Sequence, residues 1–354
     1  MSHATRFPAL DGIRCVAILM VILSHLSGTV GLQVSPILLE PLGSLGVRIF
    51  FVLSGFLISS LLFAEFSATG TISIKHFYIR RFFRIFPAYY AFLAVVTGLS
   101  LFGIVRYSHS DALFALTYLS NYNSGRTWIV AHTWSLSVEE QFYLLWPLCV
   151  CRAGRERALW TAAGVCLLAP VTRVAIWYWF PEHRAGLGTE FHTIADALAT
   201  GCLLAGVRHS SRALALFSFK HWSYPAVLAS ILLMSPYAGY YPRIYHSLGA
   251  SVINIVIALL IDFAIREHTR FPFSLLNHPL MRAGGALSYS LYLWQQPFLN
   301  RSSQLLICTF PWNITLALTA AALSYYGVER PFLALRARLE EASVPSRVVI
   351  QEAP

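Results

Sequence analysis

Ten long apolar stretches follow one another along this chain, over residues 12–30, 47–64, 85–104, 134–150, 158–180, 191–207, 222–239, 248–265, 286–300 and 311–327, with short polar links between them. A run of about 20 apolar residues is what an α-helix needs to cross the hydrocarbon core of a bilayer. The pattern therefore predicts an all-α fold, a polytopic membrane helix bundle of about ten transmembrane helices. No repeat with a period of about 20–50 residues interrupts this reading. Within residues 105–133 and 181–190, the linking segments are polar and aromatic, as expected where a chain meets lipid head groups.

Composition sharpens the picture. Of 354 residues, 56% are hydrophobic and only 12% are charged, about half of the roughly 25% expected of a soluble domain. So few charges cannot clothe a water-exposed body of this size, and disordered, collagen-like and coiled-coil chains are excluded as well. The net charge of +10 is read as membrane orientation, so the lipid bilayer is the expected partner and no nucleic acid is. Alternating the stretches from a cytoplasmic N-terminus leaves only seven of the 26 basic residues outside (Arg48, Arg106, Arg126, Arg173, Arg184, Arg243 and Arg301), as the positive-inside rule demands. Both termini are then cytoplasmic, with the inner (plasma) membrane as the expected location. Residues 1–332 read as one transmembrane domain and 333–354 as a charged cytoplasmic tail. Arg14 interrupts the first stretch and no small-residue cleavage site follows, so it reads as a span and not as a removable signal peptide. The six cysteines lie in apolar contexts, and the one-residue gap between Cys149 and Cys151 suits neither zinc nor redox chemistry. No metal is expected.

Against this background a few polar residues stand out. Arg14 and His25 are eleven positions apart in one apolar helix, which returns them to nearly the same face about 16 Å apart. An ionisable group at depth costs about 2.5–3.5 kcal/mol on insertion scales and marks a functional site by default; an interhelical hydrogen bond from His25 is the plainer alternative. Gly43, Gly46, Ser54 and Gly55 in the second stretch allow a helix or a ligand to come close, helix packing being the commoner cause, and Phe50, Phe51 and Phe56 read as lipid-facing or packing residues. Arg80, Arg81 and Arg84 concentrate charge at the inner surface, through topology alone or to hold a phosphate-bearing ligand such as an acyl-CoA. Trp134, Ser135, Glu139 and Tyr143 fall together on one helical face, with Glu139 rather than Glu140 as the functional candidate. Asp196 suits a histidine or arginine partner, and Tyr292 and Gln296, four apart, can line a polar cavity.

In this order the segments Arg14 to His25, Gly43-Ser-Leu-Gly46-Val, Phe-Phe-Val-Leu-Ser54-Gly55-Phe, Arg80-Arg81-Phe-Phe-Arg84-Ile-Phe-Pro87, Trp134-Ser-Leu-Ser-Val-Glu139 and Glu329-Arg-Pro331 resemble the membrane-bound acyltransferase-3 family, the OafA-like O-acyltransferases, over residues 7–332. The resemblance implies ten spanning helices with cytoplasmic ends. It also implies transfer of an acyl group, usually acetyl, from cytosolic acyl-CoA to a hydroxyl of an extracytoplasmic or lipid-linked glycan or a small molecule. It gives His25 and Arg14 essential roles and puts the Arg80, Arg81 and Arg84 cluster on the donor side. The resulting expectation has His25 as general base with Arg14 and Glu139, acyl-CoA on Arg80, Arg81, Arg84 and Arg14, and acceptor contacts from Trp134, Ser135, Asp196, Tyr292 and Gln296. Glu139 would orient the second ring nitrogen of His25 or bind acceptor hydroxyls, and an acyl-histidine intermediate is the variant route. The sequence departs from the family at Trp294-Gln295-Gln296, where a histidine is frequent, and at Ile194, where many members have arginine. No fused SGNH-type hydrolase domain is expected. The competing class is a transporter of a sugar, acyl or proton substrate without covalent chemistry; a passive scaffold would leave Arg14 and His25 without a purpose.

Overall fold

The structure, a computed structural model, describes residues 8–32, 34–210, 223–234 and 241–342. The expectations for Arg6, Arg212, Lys220 and Arg347, for parts of the stretch 222–239 and for the end of the tail lie outside the described residues.

Among the described residues the chain is helical, with no strand. The helices are α1 (Pro8–Leu26), α2 (Pro36–Thr69), α3 (Ile74–Leu101), α4 (His109–Leu116), α5 (Thr133–Trp179), α6 (Phe191–Arg208), α7 (Ser223–Met234), α8 (Ala250–Arg266), α9 (Pro279–Gln295), α10 (Trp312–Ser324) and α11 (Arg330–Ala342). Among the described residues, every apolar stretch marked in the sequence overlaps one of them. Five helical segments are long and apolar enough to cross a membrane: Ala9–Leu26, Leu39–Thr69, Ile74–Leu101, Trp128–Trp179 and Pro242–Arg266. The fourth is two rods in one, because Gly154 leaves helical geometry at φ 77° and ψ 168°, a conformation that glycine adopts without steric penalty. The break separates residues 133–153 from 155–179, as the two stretches 134–150 and 158–180 require. Beyond Gly154, α5 exposes Trp160, Leu167, Leu168 and Val171, a surface that suits hydrocarbon. This is a multi-pass membrane protein.

The core forms where α1 and α6 press against α2. Gly55 of α2 faces the backbone carbonyl of Leu198, and Gly201 of α6 faces the Val52 carbonyl and the Phe56 nitrogen, each so closely that no Cβ would fit. Val52, Phe56 and Leu198 at this crossing are all buried. Small residues that admit a neighbouring backbone are how membrane helices gain packing area where lipid offers no hydrophobic driving force. A Cβ on Gly46 would likewise sit 2.5 Å from the Ala17 carbonyl of α1. The glycines of the second stretch therefore serve helix packing. Phe51 and Phe56 pack inside.

The segment expected to be a tail begins differently. A π-helical turn over Tyr325–Glu329 carries the helix from α10 into α11 without interruption, and Pro331, which has no N–H to donate, follows directly after that turn. Phe332 meets Phe83 of α3 with ring centroids 6.4 Å apart. Residues 333–342 are thus part of a helix docked on the bundle, and the turn before it buries Glu329, which accepts a 3.0 Å hydrogen bond from Ser290 Oγ.

Gly55→Ala is expected to lower the thermal unfolding temperature of the detergent-solubilised protein, since overpacking of this kind costs about 1–3 kcal/mol. Gly164→Ala, whose Cβ would meet nothing within 4 Å, should leave that temperature unchanged or slightly raised. Equal effects would contradict the packing argument.

Candidate active site

Two cavities approach each other inside the bundle. The smaller, about 100 Å³, brings together Arg14 from α1, Ser54 from α2, Arg81 and Arg84 from α3, and Glu139 and Glu140 from α5. The larger, about 860 Å³, has His25, Trp128, His132, Trp134 and Gln296 on its wall, together with Arg48, Arg126 and Arg301. Val47 and Tyr292 belong to both walls. Tyr292 is fixed there: its hydroxyl donates to the His132 carbonyl at 3.1 Å and lies 2.5 Å from Ser135 Oγ.

The arginine cluster does not act as one unit. At about 100° per residue Arg84 lies between its two neighbours on the helix, and the cavity opens on the Arg81 side. Arg81 stands over the Tyr143 ring at 5.2 Å. Arg80 turns the other way, pairs with Glu65 at 3.5 Å and is absent from the cavity wall. Arg14 pairs with Asp11 at 3.2 Å, one turn back on its own helix. Glu139 accepts a hydrogen bond of 2.7 Å from Ser54 Oγ, to which the Tyr143 hydroxyl donates at 3.1 Å. This corrects one expectation. Glu139 faces the arginines and does not orient His25.

Gln295 does that instead. The chain of hydrogen bonds starts at the Trp128 carbonyl, to which Gln296 Nε2 donates at 2.9 Å, while the Trp128 indole donates back to the Gln296 carbonyl at 2.9 Å. With the Gln296 amide so fixed, its Oε1 accepts from Gln295 Nε2 at 3.0 Å. Gln295 Oε1 is left to face His25 Nδ1 at 2.8 Å. An amide oxygen only accepts, so the proton of His25 is on Nδ1 and the lone pair is on Nε2. Trp128 holds the imidazole edge-on at a centroid distance of 5.4 Å. The side chain of Gln296, expected to touch the acceptor, is the anchor of this chain. The sequence left open an interhelical hydrogen bond or a functional role for His25; the structure shows the bond, and it leaves Nε2 free.

Asp196 lies on neither cavity wall. Its Oδ2 takes Arg173 Nη1 at 3.0 Å, Arg173 Nη2 at 3.1 Å and Ser251 Oγ at 2.6 Å, and both members of the pair are buried. Arg173, counted among the outer basic residues, lies inside the bundle. Of the other residues expected to meet the acceptor, Trp134 lines the larger cavity, Ser135 the smaller and Tyr292 both. Sequence reasoning missed Gln295, His132 and the outer arginines Arg48, Arg126 and Arg301. The only signal was that these arginines sit on the side where topology does not need them. In the loop before α5, Arg126 Nη1 donates to the Ser120 and Asn123 carbonyls at 2.7 and 2.6 Å; burial pulls its pKa down and the Asp111 carboxylate opposes that shift.

The chain belongs to the acyltransferase-3 family: the family model, an acyltransferase domain, matches residues 7–327. It is similar to the peptidoglycan O-acetyltransferase OatA of Listeria monocytogenes, at 28% identity over 94% of this chain and 57% of that protein. It is also similar to the O-acetyltransferase OatA of Staphylococcus aureus, at 29% identity over 92% of this chain and 57% of that protein. The chain thus spans a little over half the length of these relatives. No solved structure gives a significant match.

Asp196→Ala should sharply reduce the yield and thermal stability of the folded protein, because an uncompensated buried arginine costs about 3–5 kcal/mol. The double change Asp196→Leu with Arg173→Met should recover much of the loss. An Asp196→Ala protein of normal stability would contradict the structural assignment of this pair.

Proposed function

We propose that this chain is a membrane O-acyltransferase that moves an acyl group, most simply acetyl, from acyl-CoA on the cytoplasmic side to a hydroxyl of a glycan, a lipid-linked sugar or a small molecule on the other side. One observation carries the reading: an imidazole with a free nitrogen on one cavity wall, three guanidiniums on another, and Val47 and Tyr292 common to both. Family membership and the O-acetyltransferase names of the relatives support it, and the Listeria relative's name supports a glycan as acceptor. The reading includes ten spans with both termini cytoplasmic, which the distribution of basic residues supports, and a bacterial plasma membrane, which the bacterial relatives support.

The donor fits this division in a specific way. The pantetheine arm enters the smaller cavity, and the nucleotide stays at the membrane surface near Arg80. Arg14, Arg81 and Arg84 neutralise phosphate charge along the route, with Glu139 limiting the excess of positive charge. The thioester passes between Val47 and Tyr292 to reach the larger cavity. There His25 Nε2 takes the proton of the acceptor hydroxyl, the oxygen attacks the thioester carbonyl carbon, the C–S bond breaks, and the coenzyme A thiolate takes up a proton. Trp134 and Tyr292 shape the wall against which the acceptor lies. Coenzyme A stays on its own side and only the acyl group crosses.

The test uses the purified chain in proteoliposomes with labelled acetyl-CoA and a glycan acceptor. Label on the acceptor, with release of free thiol, is the expected result. His25→Ala should insert normally and lose about 10²–10⁴-fold in rate, the size of a general-base contribution. Movement of label without a new ester bond, or an active His25→Ala protein, would overturn the proposal in favour of transport or another base. Gln295→Leu removes the amide that links His25 to Gln296; the lost orientation of the ring is about 1–3 kcal/mol, so kcat should fall by about 5–150-fold while the KM for acetyl-CoA stays unchanged.

A further inference from the structure

We infer that the larger cavity takes an acceptor bearing an anionic group, a carboxylate or a phosphate, which Arg48 and Arg126 hold while a hydroxyl of the same molecule faces His25. The word acceptor rests on the acyltransferase reading; the anion does not. Arg48 is 3% exposed and lies on the cavity wall. Its hydrogen-bond partners are neutral: Nη1 donates to Asn254 Oδ1 at 3.1 Å, Nε donates to the Tyr245 hydroxyl at 3.3 Å, and the Tyr245 ring lies 5.7 Å from the guanidinium carbon; the Asp196 carboxylate attracts it from a distance, but Asp196 Oδ2 is already engaged by Arg173 and Ser251. No carboxylate among the described residues forms an ion pair with it. Burying a charge without an opposite charge is expensive, and native proteins pair such groups. Here the open direction is the cavity.

Arg126 reinforces the point. Its hydrogen bonds go to backbone carbonyls, which fix the guanidinium without neutralising it. Arg301, the third arginine on this wall, pairs with Glu40 at 3.3 Å. Glu40 is the only carboxylate on the wall beside three guanidiniums. Around them are polar side chains suited to a carbohydrate: His132 and His246 both line the cavity, and Nδ1 of His246 is buried without a partner. A neutral sugar would satisfy the histidines and leave Arg48 unpaired. An anionic sugar satisfies both.

The experiment measures binding to the full chain in nanodiscs of zwitterionic lipid, without acyl-CoA. The probes are methyl glucuronide, its methyl ester, methyl glucoside 6-phosphate and coenzyme A. At least one of the two anionic sugars should bind about tenfold or more tightly than the neutral ester. That preference should shrink to threefold or less in Arg48→Gln and in Arg126→Gln, and persist in Arg184→Gln, an arginine that lies on neither cavity wall. Should Arg48→Gln fail to fold, Arg126→Gln, in a loop, decides the matter. The stronger of the two anions assigns carboxylate or phosphate. Equal binding of charged and neutral sugars, no measurable binding of either anion at millimolar concentration, an equal loss in Arg184→Gln, or coenzyme A binding that depends on Arg48 would each overturn the inference. Failure of acyl transfer with the anion preference intact would remove the acyltransferase reading and leave this cavity as an anion site.

Discussion

An amide oxygen cannot donate a hydrogen bond, and the chemistry of this protein follows from where that constraint falls. The Trp128 carbonyl fixes Gln296, Gln296 fixes Gln295, and Gln295 fixes the proton of His25 on Nδ1. Each link is a single hydrogen bond of ordinary length. Together they determine which face of the imidazole is basic, in a low-dielectric setting where an incorrect tautomer could not be corrected cheaply by water. The chain runs across the bundle, from the start of the helical segment Trp128–Trp179 through α9 to α1, so it holds only while those helices keep their relative places.

Helix packing supplies that stability. Gly55 and Gly201 let α2 and α6 meet backbone to backbone, and Gly46 does the same for α2 and α1. The resulting frame keeps the arginines of the smaller cavity on one side of Tyr292 and His25 on the other. The ion pair of Arg173 and Asp196 lies apart from both cavities. In the smaller cavity Glu139 and Glu140 stand among the guanidiniums and Asp11 pairs with Arg14, whereas on the wall of the larger cavity Glu40 is the one carboxylate among the described residues. This unequal balance is what distinguishes the two cavities electrostatically.

Much of the architecture was legible because membrane helices announce themselves locally. Among the described residues every apolar stretch overlaps a helix, and the pause around Arg152 and Arg155 marks the Gly154 break. His25 and Arg14 were legible as well, since an ionisable residue in an apolar run is visible without any partner. What escaped the sequence is pairwise and distant. Gln295 lies 270 positions from His25, and Asn254 lies 206 positions from Arg48. The sequence showed a glutamine where relatives often carry a histidine, and nothing local indicated that it would take over orientation of the ring. Arg80 and Arg81 were read as one cluster because adjacency hides the 100° between them; only the position of Glu65 shows which way each one turns. Asp196 was expected to meet substrate because a buried acid looks functional until its arginine is found.

The tautomer of His25 is the most direct point of test. Magnetic resonance of the protein labelled with ¹⁵N-histidine, with the His25 signal assigned by its loss in His25→Gln, distinguishes the two ring nitrogens. The account requires a neutral ring protonated at Nδ1 with Nε2 bare at neutral pH, and a shift of that signal in Gln295→Leu. A ring protonated at Nε2, or a signal indifferent to Gln295, would contradict it.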